Sequence, residues 1–217
     1  MRLDDREWKV RVGSVRLGAA AYRVIRPERP PAHGVLHHDF GMQFSVDKQA
    51  TVDLAIAWWL AARSRRSIVW LPLRTGDADC GSAPGSRRLD LVLLHHSLAF
   101  RVSEWKRVRA RIAESHVQKV TFPAGGLPPY RSGPHDVRWH HGFRDHLDWR
   151  VAADTLFIVG SRPAFEREGW KLRELAEEAP ARLAEAPDGH CCAEIAMGRY
   201  RSRTYAELHV ECCNRHW

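Results

Sequence analysis

Residues 51–63, TVDLAIAWWLAAR, constrain the fold of this 217-residue chain more than any other stretch. Val52, Ala55, Ile56, Trp59 and Leu60 recur at helical spacing, and Leu54, Ala57 and Trp58 make the other side apolar too. A helix apolar all round is a buried one. It is too short to span a bilayer, which needs roughly 20 apolar residues, so it belongs in a protein core. No other run approaches that length, so no membrane partner is expected. With 44% apolar residues the chain can fill a core, and 15 Gly and 12 Pro without a period exclude collagen-like sequence. The reading is one domain over 1–217: a strand-rich segment 1–46, an α/β core 47–179 and a C-terminal hairpin 180–217. At this size folding buries roughly 70% of the unfolded chain's surface, without need of a disulfide or metal.

The patterning predicts an α+β protein (mixed α/β) with a central mixed sheet and flanking helices. Residues 7–26 are strand-like. Pro27 to His38 reads as a connection, because Pro27, Pro30 and Pro31 fall within it. Short strands are expected at 40–46, 67–73, 89–94, 99–105 and 155–160. Helices are expected over 107–115 and from Pro163, in a first turn, to about Ala179. Residues 75–86 are rich in turn formers, and 121–146 are irregular. Residues 191–197 and 204–213 flank a polar turn near Arg201–Ser202–Arg203 and form the hairpin.

The net charge of +8 comes from 34 basic and 26 acidic residues, and only five of the cations are lysines. Arginine's planar fork suits phosphates, although a GC-rich coding sequence produces the same excess. The odd cysteine count and the acidic N-terminus, MRLDDREWK, point to a reducing cytoplasm.

Two stretches carry a chemical hypothesis: RRLDLVLL, with Asp90, and FRVSEWKRVR, with Glu104 and Lys106. On a strand, Glu104 and Lys106 share a face. A three-residue turn at His96–Ser97–Leu98 would pair Leu94 with Phe100 and Asp90 with Glu104, whereas a two-residue turn separates the acids. The helix, strand with Asp90 and strand with Glu-x-Lys resemble the restriction-endonuclease-like (PD-(D/E)xK) nuclease superfamily over roughly residues 51–160. The resemblance implies an αβββαβ core and metal-dependent phosphodiester hydrolysis. Asp90 and Glu104 would hold Mg²⁺, and Lys106 would position the nucleophile. Arg101, Arg107, Arg109 and Arg111 would neutralise flanking phosphates of a nucleic-acid partner. Asp53 is the candidate accessory acid. The sequence departs from the pattern in having Leu89 before Asp90 and in placing Arg101 and Ser103 on the Glu-x-Lys strand. The alternative is a non-catalytic nucleic-acid-binding or protein-interaction module with an arginine-rich surface. A homodimer would serve cleavage of both strands.

Other constellations rank below this one. His135, Asp136, His140, His141, Asp145, His146 and Asp148 crowd one segment, and His141 and Asp145 at i, i+4 on a helix match a chelating spacing. That segment, or Cys80 as a nucleophile, would suit a hydrolase. The vicinal pairs His37–His38 and His95–His96 offer at most one ligand each per strand face. Cys191 and Cys192 lie opposite Cys212 and Cys213 in the hairpin, two facing each way, which disfavours a four-cysteine site and favours buried thiols. Trp58, Trp59, Trp70 and Trp105 read as core, and Trp139 and Trp149 either stack on bases or pack loops.

Overall fold

The computed structural model describes residues 2–217 except Phe40, 77–85, Glu114, 131–136, Arg138, Trp139 and His141. The central helix, α1 (Lys48–Arg63), starts three residues earlier than its apolar periodicity suggests. Asp47 caps it, accepting a 2.6 Å hydrogen bond from the Ala50 amide. Its core-facing surface extends nearly all round: Leu54, Ala55, Ile56, Ala57, Trp58 and Ala61 are wholly buried. Against it lies α3 (Arg162–Glu185), capped by Ser161 and carrying Pro163 in its first turn. The Trp58 indole N–H donates to the Phe165 carbonyl (2.8 Å), which satisfies the one polar atom of a fully buried side chain.

The strands form a mixed sheet in two parts that share β6 (Arg87–His95). Residues 87–89 of β6 pair with β3 (Val35–His38), which continues to β4 (Met42–Val46), β11 (Ala206–Cys212) and β10 (Cys192–Met197). Residues 90–95 pair with β9 (Thr155–Gly160) and 91–94 with β5 (Ser67–Leu71). From β5 the sheet runs through β2 (Ala20–Pro27) and β1 (Glu7–Leu17) to β7 (His116–Thr121), and from β9 to β8 (Asp148–Ala152). The β2–β5, β6–β9 and β4–β11 pairs are parallel and the others antiparallel, so the fold is α+β. β5, β6 and β9 are near-continuous apolar runs because they are covered on both faces. One face packs on α1 and α3. The other carries a second core, in which Val15, Tyr22, Trp70, Val92 and Phe157 meet Trp105 and Val108 of α2 (Trp105–Ala110).

Four expectations are corrected. Residues 99–105 are not a strand: a 3-10 turn at His96–Leu98 ends at Ala99 in the left-handed region (φ 48°), and a second at Val102–Glu104 leads into α2. Val102, Trp105 and Val108 recur every three residues and so face one side of a helix; the alternation that suggests a strand ends at Val102. The order after α1 is therefore β5, β6, α2, β7, β8, β9, in place of the expected αβββαβ run. The proline-rich connection contains β3, and residues 116–121 and 148–152 are strands that the patterning does not assign. α3 runs past Ala179 to Glu185, through Pro180.

Candidate nucleic-acid interface

The segment 100–113 crosses the outer face of the β7–β1–β2–β5–β6–β9–β8 half-sheet. At one end the Phe100 ring lies 6.4 Å from Phe157 of β9. In the middle Trp105 packs edge-on against Trp70 (5.4 Å) and donates from its indole nitrogen to Thr155 Oγ1 (3.0 Å). At the far end Ala113 donates to the Ser14 carbonyl (3.2 Å), and Ile112 sits so close to Gly13 that a Cβ there would stand 2.7 Å from its Cγ2. Three apolar anchors thus hold the segment down and leave much of its other side exposed.

Four of the outward side chains are cations. Arg101, Lys106, Arg107 and Arg111 are exposed, and none of their side chains makes an ion pair or hydrogen bond among the described residues. Arg109 turns inward to Asp90. Beside the Phe100 end lies a cleft of about 640 Å³ between this segment, β8 and the β10–β11 turn. Arg101, Arg150, Phe100 and Trp149 line it, with Asp148 the single carboxylate among the described residues. Trp149 is held by donation of its indole N–H to the Thr204 carbonyl (2.8 Å). Beyond the Ile112 end the register sets Lys9 opposite Lys119 and Arg11 opposite Arg26. Arg26 rests over the Trp70 ring at 5.7 Å, and Lys119 is paired with Glu7 (2.8 Å).

The structure does not pair the predicted metal ligands. Asp90 pairs in register with Thr155, and its buried carboxylate is occupied. One oxygen accepts from the amides of Leu73 (3.0 Å) and Arg74 (3.1 Å), and the other faces Arg74 (3.6 Å) and Arg109 (3.5 Å). Arg74 and Arg87 also bind Asp154, whose carboxyl is held below its ordinary range chiefly by the Arg87 hydrogen bond. Glu104 stands at the other end of α2 and accepts from the Tyr22 hydroxyl (3.1 Å). Burial first, then that hydrogen bond and the Glu104 charge, push the Tyr22 phenol up. Glu104 and Lys106 lie on helical turns, so their spacing no longer puts them on one strand face.

Asp53 is buried in α1, bonded by Gln49 (2.7 Å), with its carboxyl pushed up to about 7 by burial. It borders a cleft on the opposite, helix-facing side of the sheet, with Trp8, Asp47 and Pro30, and does not join Asp90 or Glu104. In the histidine segment, Asp145 accepts from Ser161 Oγ (2.6 Å) and His146 bonds the Phe143 carbonyl (2.9 Å). Residues 142–147 are not helical, and the His141 end of the i, i+4 pair lies outside the described residues. Cys80, His135, Asp136, Trp139 and His141 lie outside the described residues. His95 caps the turn after β6, accepting from the Ser97 amide (3.2 Å), and buried His37 lies 3.3 Å from Asp39. Cys191 and Cys212 are buried while Cys192 is exposed, which matches the alternation expected of the hairpin. Among the described residues the metal-capable donors that converge are His190, Cys192 and His209. Sequence reasoning sets Cys192 among the cysteine pairs only; the H-x-C-x-E alternation of 190–194 is the signal that points beyond them. Comparison with known protein families, curated proteins and solved structures finds no match.

Proposed function

We propose that this protein binds single-stranded nucleic acid across the outer face of the half-sheet, without cleaving it at Asp90. The observation that supports this most is the segment 100–113, which carries four exposed cations without carboxylate partners among the described residues, from an aromatic, arginine-lined cleft to the basic strip on β1, β2 and β7. Unpaired cations in a row match phosphates spaced along a strand, and release of the strand's counterions supplies the affinity. Phe100, packed on the outer-face core, and Trp149, packed on the helix-side core, border the cleft as an aromatic rim for unpaired bases. The cleft falls within the roughly 300–1,000 Å³ of small-ligand sites, enough for a splayed base but not a duplex.

Metal-dependent hydrolysis, the reading the nuclease resemblance implies, has less support. It requires Asp90 to release two amides and two arginines to take up Mg²⁺, and requires Glu104 to leave Tyr22. Fluorescence anisotropy with a labelled single-stranded oligonucleotide tests the binding proposal. Arg101→Ala and Arg150→Ala should each weaken binding and flatten the dependence of log K on log salt by about 0.7 for each phosphate that is no longer neutralised. Arg182→Ala, on the far helix α3, should change neither. Equal behaviour of all three variants would refute the interface. Plasmid cleavage in Mg²⁺ that disappears in both Asp90→Ala and Lys106→Ala would establish the nuclease instead.

A further inference from the structure

The C-terminal hairpin holds a second constellation, independent of the basic face. We propose that His190, Cys192 and His209 bind a thiophilic transition ion of the zinc class. One donor atom from each residue lies within 4.8 Å of the other two. The hairpin register brings the strand members of this group onto one face. Cys192 opens β10 with its side chain on the exposed face, and His190 lies two residues before it. The β10–β11 register places Glu194 opposite His209 and Cys192 opposite Glu211, on that same face. The imidazoles of His190 and His209 stand nearly parallel, with centroids 5.4 Å apart.

The surroundings are those of a supported metal ligand. Both ring nitrogens of His209 face carboxylates: Nδ1 bonds Glu194, and Nε2 lies 3.4 Å from Glu211. Whichever nitrogen takes the ion, the other keeps an acceptor that fixes the tautomer and raises the ligand's basicity. Glu211 is itself anchored on β4, accepting from Gln43 and from Ser45 Oγ (3.0 Å). One thiolate and two imidazoles select zinc, cobalt(II) or copper over magnesium or calcium, which prefer oxygen. Zinc bonds of roughly 2.0–2.3 Å place tetrahedral donors about 3.5 Å apart. The exposed side chains of His190 and Cys192 can close that difference by rotation. Binding releases the Cys192 thiol proton to solvent, and water or one of the two carboxylates fills the fourth position.

A cobalt(II) titration of the reduced, full-length protein tests the site. The expected result is a 1:1 complex with the visible bands of tetrahedral cobalt and a near-ultraviolet thiolate charge-transfer band, displaced by zinc. Cys192→Ser should abolish the charge-transfer band, and Glu194→Gln should weaken binding about tenfold while the band remains. Cys213→Ser is the control, because Cys213 and His216 form the other thiol–imidazole pair in this region (3.3 Å). Zinc should raise the melting temperature of wild type and of Cys213→Ser but not of Cys192→Ser, whose metal-free circular dichroism should match wild type. Absence of tetrahedral bands in wild type, or a thiolate band that survives Cys192→Ser and vanishes in Cys213→Ser, would overturn the assignment.

Discussion

Replacing Asp53 by Asn should change how the stability of this protein depends on pH. Asp53 is 3% exposed inside a helix that is apolar on nearly every side. Burial raises its carboxyl from an ordinary 3.8 to about 7, against the opposing effects of the Gln49 hydrogen bond and the Trp8 indole, while the Asp47 charge adds to the rise. Between those values the native chain holds a proton that the unfolded chain has released. Stability contributed by the raised carboxyl is therefore fully present below about pH 4 and is lost as pH rises through 7. Each pH unit costs about 1.4 kcal/mol, so the ionised carboxylate removes roughly 4 kcal/mol at most, less where water relaxes around it. Asn cannot ionise, yet its carbonyl still accepts from Gln49. Urea denaturation at intervals from pH 4 to pH 9 measures the difference. Asp53→Asn should match wild type near pH 4 and exceed it by about 2–4 kcal/mol at pH 8. Parallel stability curves for the two proteins would refute the argument, since they would show that Asp53 titrates alike in both states.

Asp90→Ala should destabilise the fold by about 3 kcal/mol, because it leaves two amides and two guanidinium groups without their shared acceptor. Asp90→Asn, which keeps an oxygen for the Leu73 and Arg74 amides, should cost about half that; chemical denaturation midpoints give both values, and Mg²⁺ should shift neither. Gly198→Ala should both lower the melting temperature and weaken oligonucleotide binding. Gly198 has φ 75°, and a Cβ there would stand 2.1 Å from the Thr204 carbonyl oxygen, so the turn that walls the cleft must move.

The elements whose environment is uniform are legible in the amino-acid sequence alone. α1, β5, β6 and β9 are buried on nearly every side, so their apolar runs carry the signal without reference to any partner. The hairpin's cysteine alternation is legible for a similar reason, since successive side chains on a strand must face opposite ways. The short segments are not. Residues 100–108 fit a strand up to Val102 and a helix after it, and only the apolar patch formed by Trp70, Val92 and Phe157 decides between them. That choice moves Glu104 to Tyr22 and leaves Asp90 to the arginines, since a residue's facing partner follows from register and not from its neighbours in sequence. The concentration of cations at 101–111 is plain in the linear chain. Which of them are paired, and that Arg150, Lys9 and Arg11 join the same face, depends on the order of strands in the sheet. The convergence of His190 and Cys192 with His209 has the same origin: a hairpin register brings together residues that the linear chain keeps apart.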